Sequence, residues 1–278
     1  MKYTAIIEAL NPIAHGDTSM QRGSNETVFM RSKRLVNGNV ISLPDVSENA
    51  IRHVLFREPL ANHLFLTTKP ENVRRAVVSL FYSGGNMNEK SPGDENTLAR
   101  QVYEAFPMLE LLGGAVNQFI LPRSALKLVA LPVAREYTPY LENLLSEQQQ
   151  EIVADCAKLS IFDFLNSETR TRGTGGDDTD NQMIYGYETL AAGSKFFIRA
   201  TLNPRTSALA MSALGFALTQ WDGYFGAQAR QGRGLCAIRQ QDFPQGSEYL
   251  AYIEQNASRL KGFLETGTLG SAKELCKD

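Results

Sequence analysis

Long apolar runs, a cysteine framework and a strong net charge are all missing from this 278-residue chain. Without about 20 consecutive apolar residues, no segment can cross a bilayer as a helix. The opening MKYTAIIEAL carries a lysine and then a glutamate within its apolar stretch and lacks a small-residue cleavage pattern, so it reads as a strand and not as a secretory signal. The three cysteines, Cys156, Cys236 and Cys276, are odd in number and widely spaced. That spacing indicates neither a disulfide framework nor a zinc site, and a reducing, cytoplasmic setting is expected. Histidine is equally scarce, at three, and no HExxH, CxxC or GxxxxGK[ST] pattern occurs. No metal, cofactor or membrane partner is expected.

The histidines divide by position. His53, beside Arg52 in a helical stretch, reads as structural or surface, and His63 as buried or capping. Only His15, in a Gly-Asp loop after the first strand, is placed like a site residue, and no nucleophile for it to activate is evident. Asp177, Asp178 and Asp180 read as a solvated loop, because no glutamate follows at calcium-loop spacing. TRGTGG resembles a phosphate loop in composition alone, since it does not join a strand to a helix.

The net charge of −2 conceals an uneven distribution. Gln21 to Arg57 holds six basic residues against three acidic ones, whereas Glu136 to Glu188 holds eleven acidic residues against three basic ones. Charge can thus gather on one surface without showing in the total.

Tyr3, Ala5, Ile7 and Ala9 alternate as one face of a strand. TVFMRSKRLVNGNVISLP reads as a hairpin turning at Asn37-Gly38. Ser47 is the expected N-cap of a helix that Pro59 should kink or split. A second helix from about Glu95 to Leu112 should end at Gly113-Gly114. SALKLVALPV is strand-like, SETRTRGTGGDDTDNQ is expected to be disordered, and MIYGYETLAAGSKFFIRATL reads as a hairpin turning at AAGS. In the next helix Met211, Leu214, Leu218 and Trp221 form one stripe. The glycine-rich GAQARQGRG, the strand GLCAIRQ and a last helix carrying Leu250, Ile253, Ala257, Leu260 and Leu264 complete the chain.

Strand, helix, strands, helix, strand is the order of a ferredoxin-like α+β sheet. Its two helices should cover one face and leave the other for ligands. Basic residues sit in its turns: Arg22, Arg31 and Arg34 after the first strand, Arg52 and Arg57 with Asn49 on the first helix, and Arg230, Gln231, Gly232, Arg233 and Gly234 in the glycine loop. Arginine and backbone N–H groups hold phosphates, and glycine lets a backbone approach them closely.

Three stretches then carry a family likeness. VSENAIRHVLFR (Val46 to Arg57) resembles the S-G-N-x-I-R-x-x-L-R element of the RAMP superfamily of CRISPR-associated proteins. GAQARQGRGLCAI is similar to that superfamily's glycine-rich loop before the final strand. LELLGGAVNQF (Leu109 to Phe119) looks like its L-x-L-F-G-G stretch. The order is right, and the opening NPIAHGD is also similar. The closest likeness within the superfamily is to the backbone subunit that polymerises along guide RNA.

The resemblance implies a single domain over 1–278: a modified ferredoxin-like, RRM-like palm, finger-type insertions and the first helix within 11–125, and a thumb β-hairpin at 166–202. It implies guide-RNA contacts at His15, Arg22, Arg31, Arg34, Asn49, Arg52, Arg57, Arg230, Gln231, Gly232, Arg233 and Gly234, and an apolar thumb tip at Tyr185, Tyr187 and Leu190. The implied partners are guide RNA (crRNA), a DNA target reached by guide pairing, head-to-tail copies of the chain and other effector subunits. Two departures stand out. Glu48 replaces the family's glycine, and Asn25-Glu26 stands near the position where RNA-cutting members carry an aspartate, so no target cleavage is expected. The competing expectations are a metal-independent guide-processing endoribonuclease working through His15, and a viral mimic that blocks effector assembly.

Overall fold

A computed structural model describes residues 1–16, 26–87, 95–116, 119–120, 124–172 and 183–267. Arg22, Cys276 and the Asp177, Asp178 and Asp180 loop lie outside those residues. In chain order the main elements are β1 (Lys2–Ala9), a hairpin of β2 (Arg31–Val36) and β3 (Asn39–Pro44), and the helical rod α1 (48–68). There follow α2 (Arg75–Ser83), α3 (Glu95–Ala105), α4 (Pro107–Leu112), β4 (Leu126–Pro132), α5 (Glu147–Val153), β5 (Leu165–Arg172) and β6 (Met183–Leu190). The chain continues with β7 (Lys195–Leu202), α6 (Ala208–Gln220), β8 (Cys236–Gln241), α7 (Ser247–Gln255) and α8 (Ala257–Thr266).

The palm is an antiparallel sheet in the order β8-β1-β7-β4. Numbering only these four strands along the chain gives 4-1-3-2. With α1 and α6 as the two crossovers, that is the ferredoxin-like plan expected from the sequence. A second sheet joins β5, β6 and the two residues Glu26–Thr27, and β2 and β3 pair by themselves.

β1 is central, and Ala5, Ile6 and Ile7 are all buried, so both faces of the sheet are covered there. On the Thr4 side the cover is α5, whose Gln149 donates to Thr4 Oγ1 (3.0 Å) and Gln240 Oε1 (2.6 Å). The face expected to stay open to ligands is therefore closed near its centre by the segment between β4 and β5. On the other side α6 packs against α1, α4 and α7 and is buried almost all round, which explains its apolar composition. The predicted stripe of Met211, Leu214, Leu218 and Trp221 is one part of that surface, with Leu214 fully buried and Met211 and Trp221 half-buried. Each Leu, Ile or Phe sealed in this core contributes about 1.5–3 kcal/mol relative to exposure.

Local signals account for the boundaries. The β2–β3 turn has positive φ at both Asn37 (50°) and Gly38 (80°), as a two-residue hairpin loop requires. Ser47 caps α1 by accepting the Ala50 N–H (3.4 Å). Pro59 does not split α1; the strain is absorbed one turn earlier, where His53–Arg57 is π-helical and Glu58 N–H reaches the His53 carbonyl. A proline has no N–H to give Leu55 and its ring crowds that carbonyl, and a widened turn relieves the clash. Pro107 does divide the predicted 95–112 helix, which becomes α3 and α4 with Phe106 extended between them. The last predicted helix is likewise two, α7 and α8, meeting at Asn256.

The hairpin expected at 166–202 is partitioned differently. β6 pairs with β5 in register from Leu190↔Leu165 to Met183↔Arg172, so SETRTR is strand and not disordered chain. β7, expected as the partner of β6, instead inserts between β1 and β4 of the palm. The AAGS turn is real, with Gly193 at φ 88° and Ser194 N–H on the Ala191 carbonyl, but it links two sheets. Sequence alternation identifies strands without naming their partners, and the less apolar β5 was the partner overlooked.

Candidate anion-binding site

Two of the three sequence elements singled out above converge on one cleft of about 770 Å³. Its lining includes Asn49, Arg52, His53 and Arg57 from α1, together with Gly113 and Gly114 from the LELLGG stretch. Ser83, Gly84, Leu112, Ala115 and Ser124 complete the wall. In an α-helix, residues five apart point roughly 140° away from each other. The π turn closes i to i+5, which lets Arg57 come round to the side of Arg52.

The two guanidiniums are held by neutral groups only. Arg57 is 6% exposed and donates to the carbonyls of Leu80 (3.4 Å), Leu112 (2.8 Å) and Gly113 (3.1 Å). Arg52 donates from Nη1 to Ser124 Oγ (2.9 Å), and its Nε is buried without a partner. No carboxylate lines the cleft among the described residues. His53 pairs loosely with Glu58 (3.8 Å), both half exposed. Burial lowers the pKa of Arg52, and burial together with repulsion from Arg52 lowers that of Arg57 to about 10. Arginine keeps its charge near neutrality, so among the described residues this is an uncompensated, partly desolvated pair of cations, an arrangement that an anion would relieve.

The glycine loop is built against the chain after β1. Ala227 N–H bonds the Ala14 carbonyl (2.6 Å), Gly234 N–H bonds the Pro12 carbonyl (2.9 Å), and Asn11 Nδ2 donates to the Gly232 carbonyl (2.8 Å). Gly226 (φ 93°) and Gly234 (φ 78°) are required by that packing. A Cβ at Gly226 would stand 2.5 Å from the Ala14 carbonyl oxygen, and one at Gly234 would collide with the Phe225 carbonyl. Gly232 (φ 76°) faces open space, and Arg230 and Gln231 are exposed on the short turn Ala229–Gln231.

Arg233 differs from Arg230. It is 4% exposed, pairs with Glu168 of β5 and lies over the Tyr187 ring at 5.9 Å. Arg31 donates to both carboxylate oxygens of Glu188 of β6 (3.0 Å each), and Oε2 also accepts the Phe29 N–H (2.9 Å). Arg34 is held by the buried Asp45 (2.6 Å) above the rings of Tyr137 and Tyr140; burial opposes its charge, but Asp45 outweighs that and raises its pKa. His15 Nε2 accepts the Ser47 N–H (3.2 Å), tying the loop after β1 to the start of α1, and its ring lies against Phe29 and Phe225.

The expected apolar tip is corrected here. Leu190 is fully buried and bridges to Ile13 at the base of the β5–β6 hairpin, and Tyr187 sits beside Arg233, also near the base. Tyr185 lies further along, paired with Arg170, and the tip itself falls outside the described residues. His53, expected to be structural or surface, lines the cleft, as do Gly84 and Ser124, which the sequence does not single out. One clue is present: a Gly-Gly pair at Gly84-Gly85 after α2 matches the one at Gly113-Gly114 after α4. Nothing in the sequence marks Ser124, or marks Glu168 and Glu188 as partners of particular arginines.

No protein-family model and no curated protein matches the sequence. Among solved structures, a chain of one titled "Type IV-B CRISPR Complex" superposes with a TM-score of 0.61 at 17% identity, over 87% of this chain and 90% of that one. The two chains share a fold over nearly their whole lengths. Among the described residues, no helix is long and apolar enough to cross a membrane.

Proposed function

We propose that this chain is a non-catalytic guide-RNA-binding backbone subunit of a CRISPR effector complex, and that the Arg52–Arg57 cleft holds phosphate. The observation that carries the reading is the pair formed by the buried Arg57 and the half-buried Arg52, with no counter-charge among the described residues, on the element that resembles the family's guide-contacting helix. Phosphate contacts position a strand and read no sequence, so selectivity is left to pairing by the guide. The fold shared with a chain of a CRISPR complex supports assembly with other effector subunits, and head-to-tail assembly with further copies of this chain is part of the proposal. The same reading has the guide pair with a DNA target and leaves it uncut, because Asn25-Glu26 stands near the position where RNA-cutting members carry an aspartate.

The guide-processing alternative is less favoured for a specific reason. His15 spends its Nε2 lone pair on the Ser47 N–H, so that nitrogen is not free to take a proton from a substrate. The test is purification from cells followed by absorbance and sizing of whatever copurifies. A raised 260/280 ratio with RNA of discrete length supports the proposal, and Arg52→Gln should reduce the RNA retained. A nucleic-acid-free monomer contradicts it, as does a repeat RNA cut without metal.

A further inference from the structure

The charge balance of the cleft narrows its ligand, given that the chain binds RNA as proposed. A guanidinium carries five N–H groups. Arg57 uses three on carbonyls, and Arg52 uses one on Ser124, so several donors remain on two adjoining cations. An internal phosphodiester brings a single negative charge, and two of its four oxygens are committed to ester links. A terminal phosphomonoester brings about −1.5 to −2 near pH 7 and three acceptor oxygens. A diester would leave about one uncompensated positive charge in a partly desolvated wall, where residual charge is costly. A monoester cancels both.

Among the described residues the lining adds Asn49, His53, Ser83, Gly84, Gly113 and Gly114, with no acidic side chain to repel a dianion and no Phe, Tyr or Trp to stack a base. A volume of about 770 Å³ admits a nucleotide end. We propose that the Arg52–Arg57 cleft prefers a terminal phosphomonoester of RNA to an internal phosphodiester, so that the first copy of the chain loads at a phosphorylated end of the strand. Later copies would then meet only diesters, and the end would set where assembly begins.

The test uses the full chain freed of copurifying nucleic acid. Its affinity is measured for one short RNA sequence carrying a 5′-phosphate, a 3′-phosphate or neither, alongside methyl phosphate and dimethyl phosphate as small probes. One phosphorylated end should bind on the order of fivefold to tenfold more tightly than the hydroxyl-ended strand. Which end does so identifies the source of the monoester. Methyl phosphate should raise the melting temperature more than dimethyl phosphate at pH 7.5, and should lose that advantage by pH 5 as it becomes a monoanion. Arg57→Gln could unfold the wall, so Arg52→Gln serves as the working variant and should abolish the preference. Equal affinity for all three RNAs overturns the inference while leaving the RNA-binding reading intact. A preference that survives Arg52→Gln overturns the placement. Failure of every RNA to bind removes the RNA-binding reading itself.

Discussion

The Arg52–Arg57 cleft and the base of the β5–β6 hairpin contain the same side chain in opposite electrostatic states. In the cleft, two guanidiniums meet carbonyls and a hydroxyl and, among the described residues, no carboxylate. At the hairpin base, Arg31 arrives from the start of β2 and Arg233 from the glycine loop, and each finds a glutamate, Glu188 and Glu168, on neighbouring strands. The first arrangement lacks an anion. The second has one built in, and it serves to pin the loop after β1 and the glycine loop to the hairpin. An arginine therefore reports a ligand site only once its carboxylates have been counted, because an intramolecular pair must be broken before a phosphate can replace it.

The comparison can be broken from several directions. The largest effect is expected from Arg57→Gln. Three carbonyl acceptors lose their donor, so stability should fall by about 2–4 kcal/mol in denaturant titration, with RNA binding lost as well. Next is Arg52→Gln, which removes one hydrogen bond to Ser124 but also relieves repulsion on Arg57. Its melting temperature should change little, while RNA affinity drops about tenfold. A third test frees the paired arginines. Glu168→Gln with Glu188→Gln should tighten RNA binding several-fold and steepen the plot of log K against log salt by up to about two counter-ions. An unchanged slope would mean that Arg31 and Arg233 do not face the strand. The smallest effect is expected at the exposed Arg230, where Arg230→Gln should lower affinity by less than about threefold.

How far the chain could be read in advance follows the range of the forces involved. The β2–β3 turn, the Ser47 cap and the strands of the palm rest on signals within a few residues, and they stand where expected. Pairing is non-local. Nothing near Met183 says that its partner is Arg172 across the hairpin and not a residue of β7, so the thumb boundary and the place of Leu190 were misjudged. The site shows the same division. Asn49, Arg52 and Arg57 were identified as one element, and LELLGG as another, but only the fold brings Gly113 to Arg57. Arg233 was read as a ligand contact because its glutamate lies 65 residues away in the chain. Gly234, expected at a phosphate contact, is already required by packing against Phe225, and in that loop only Gly232 faces open space.

The most direct measurement compares two substitutions in one titration of single-stranded RNA across a salt series. Arg52→Gln removes a cation from the uncompensated cleft, and Arg233→Gln with Glu168→Gln removes a compensated pair without stranding either charge. The account predicts about a tenfold loss of affinity and a salt slope shallower by about one for Arg52→Gln, with both quantities nearly unchanged for the double variant. Affinity lost through the double variant and kept in Arg52→Gln would contradict it.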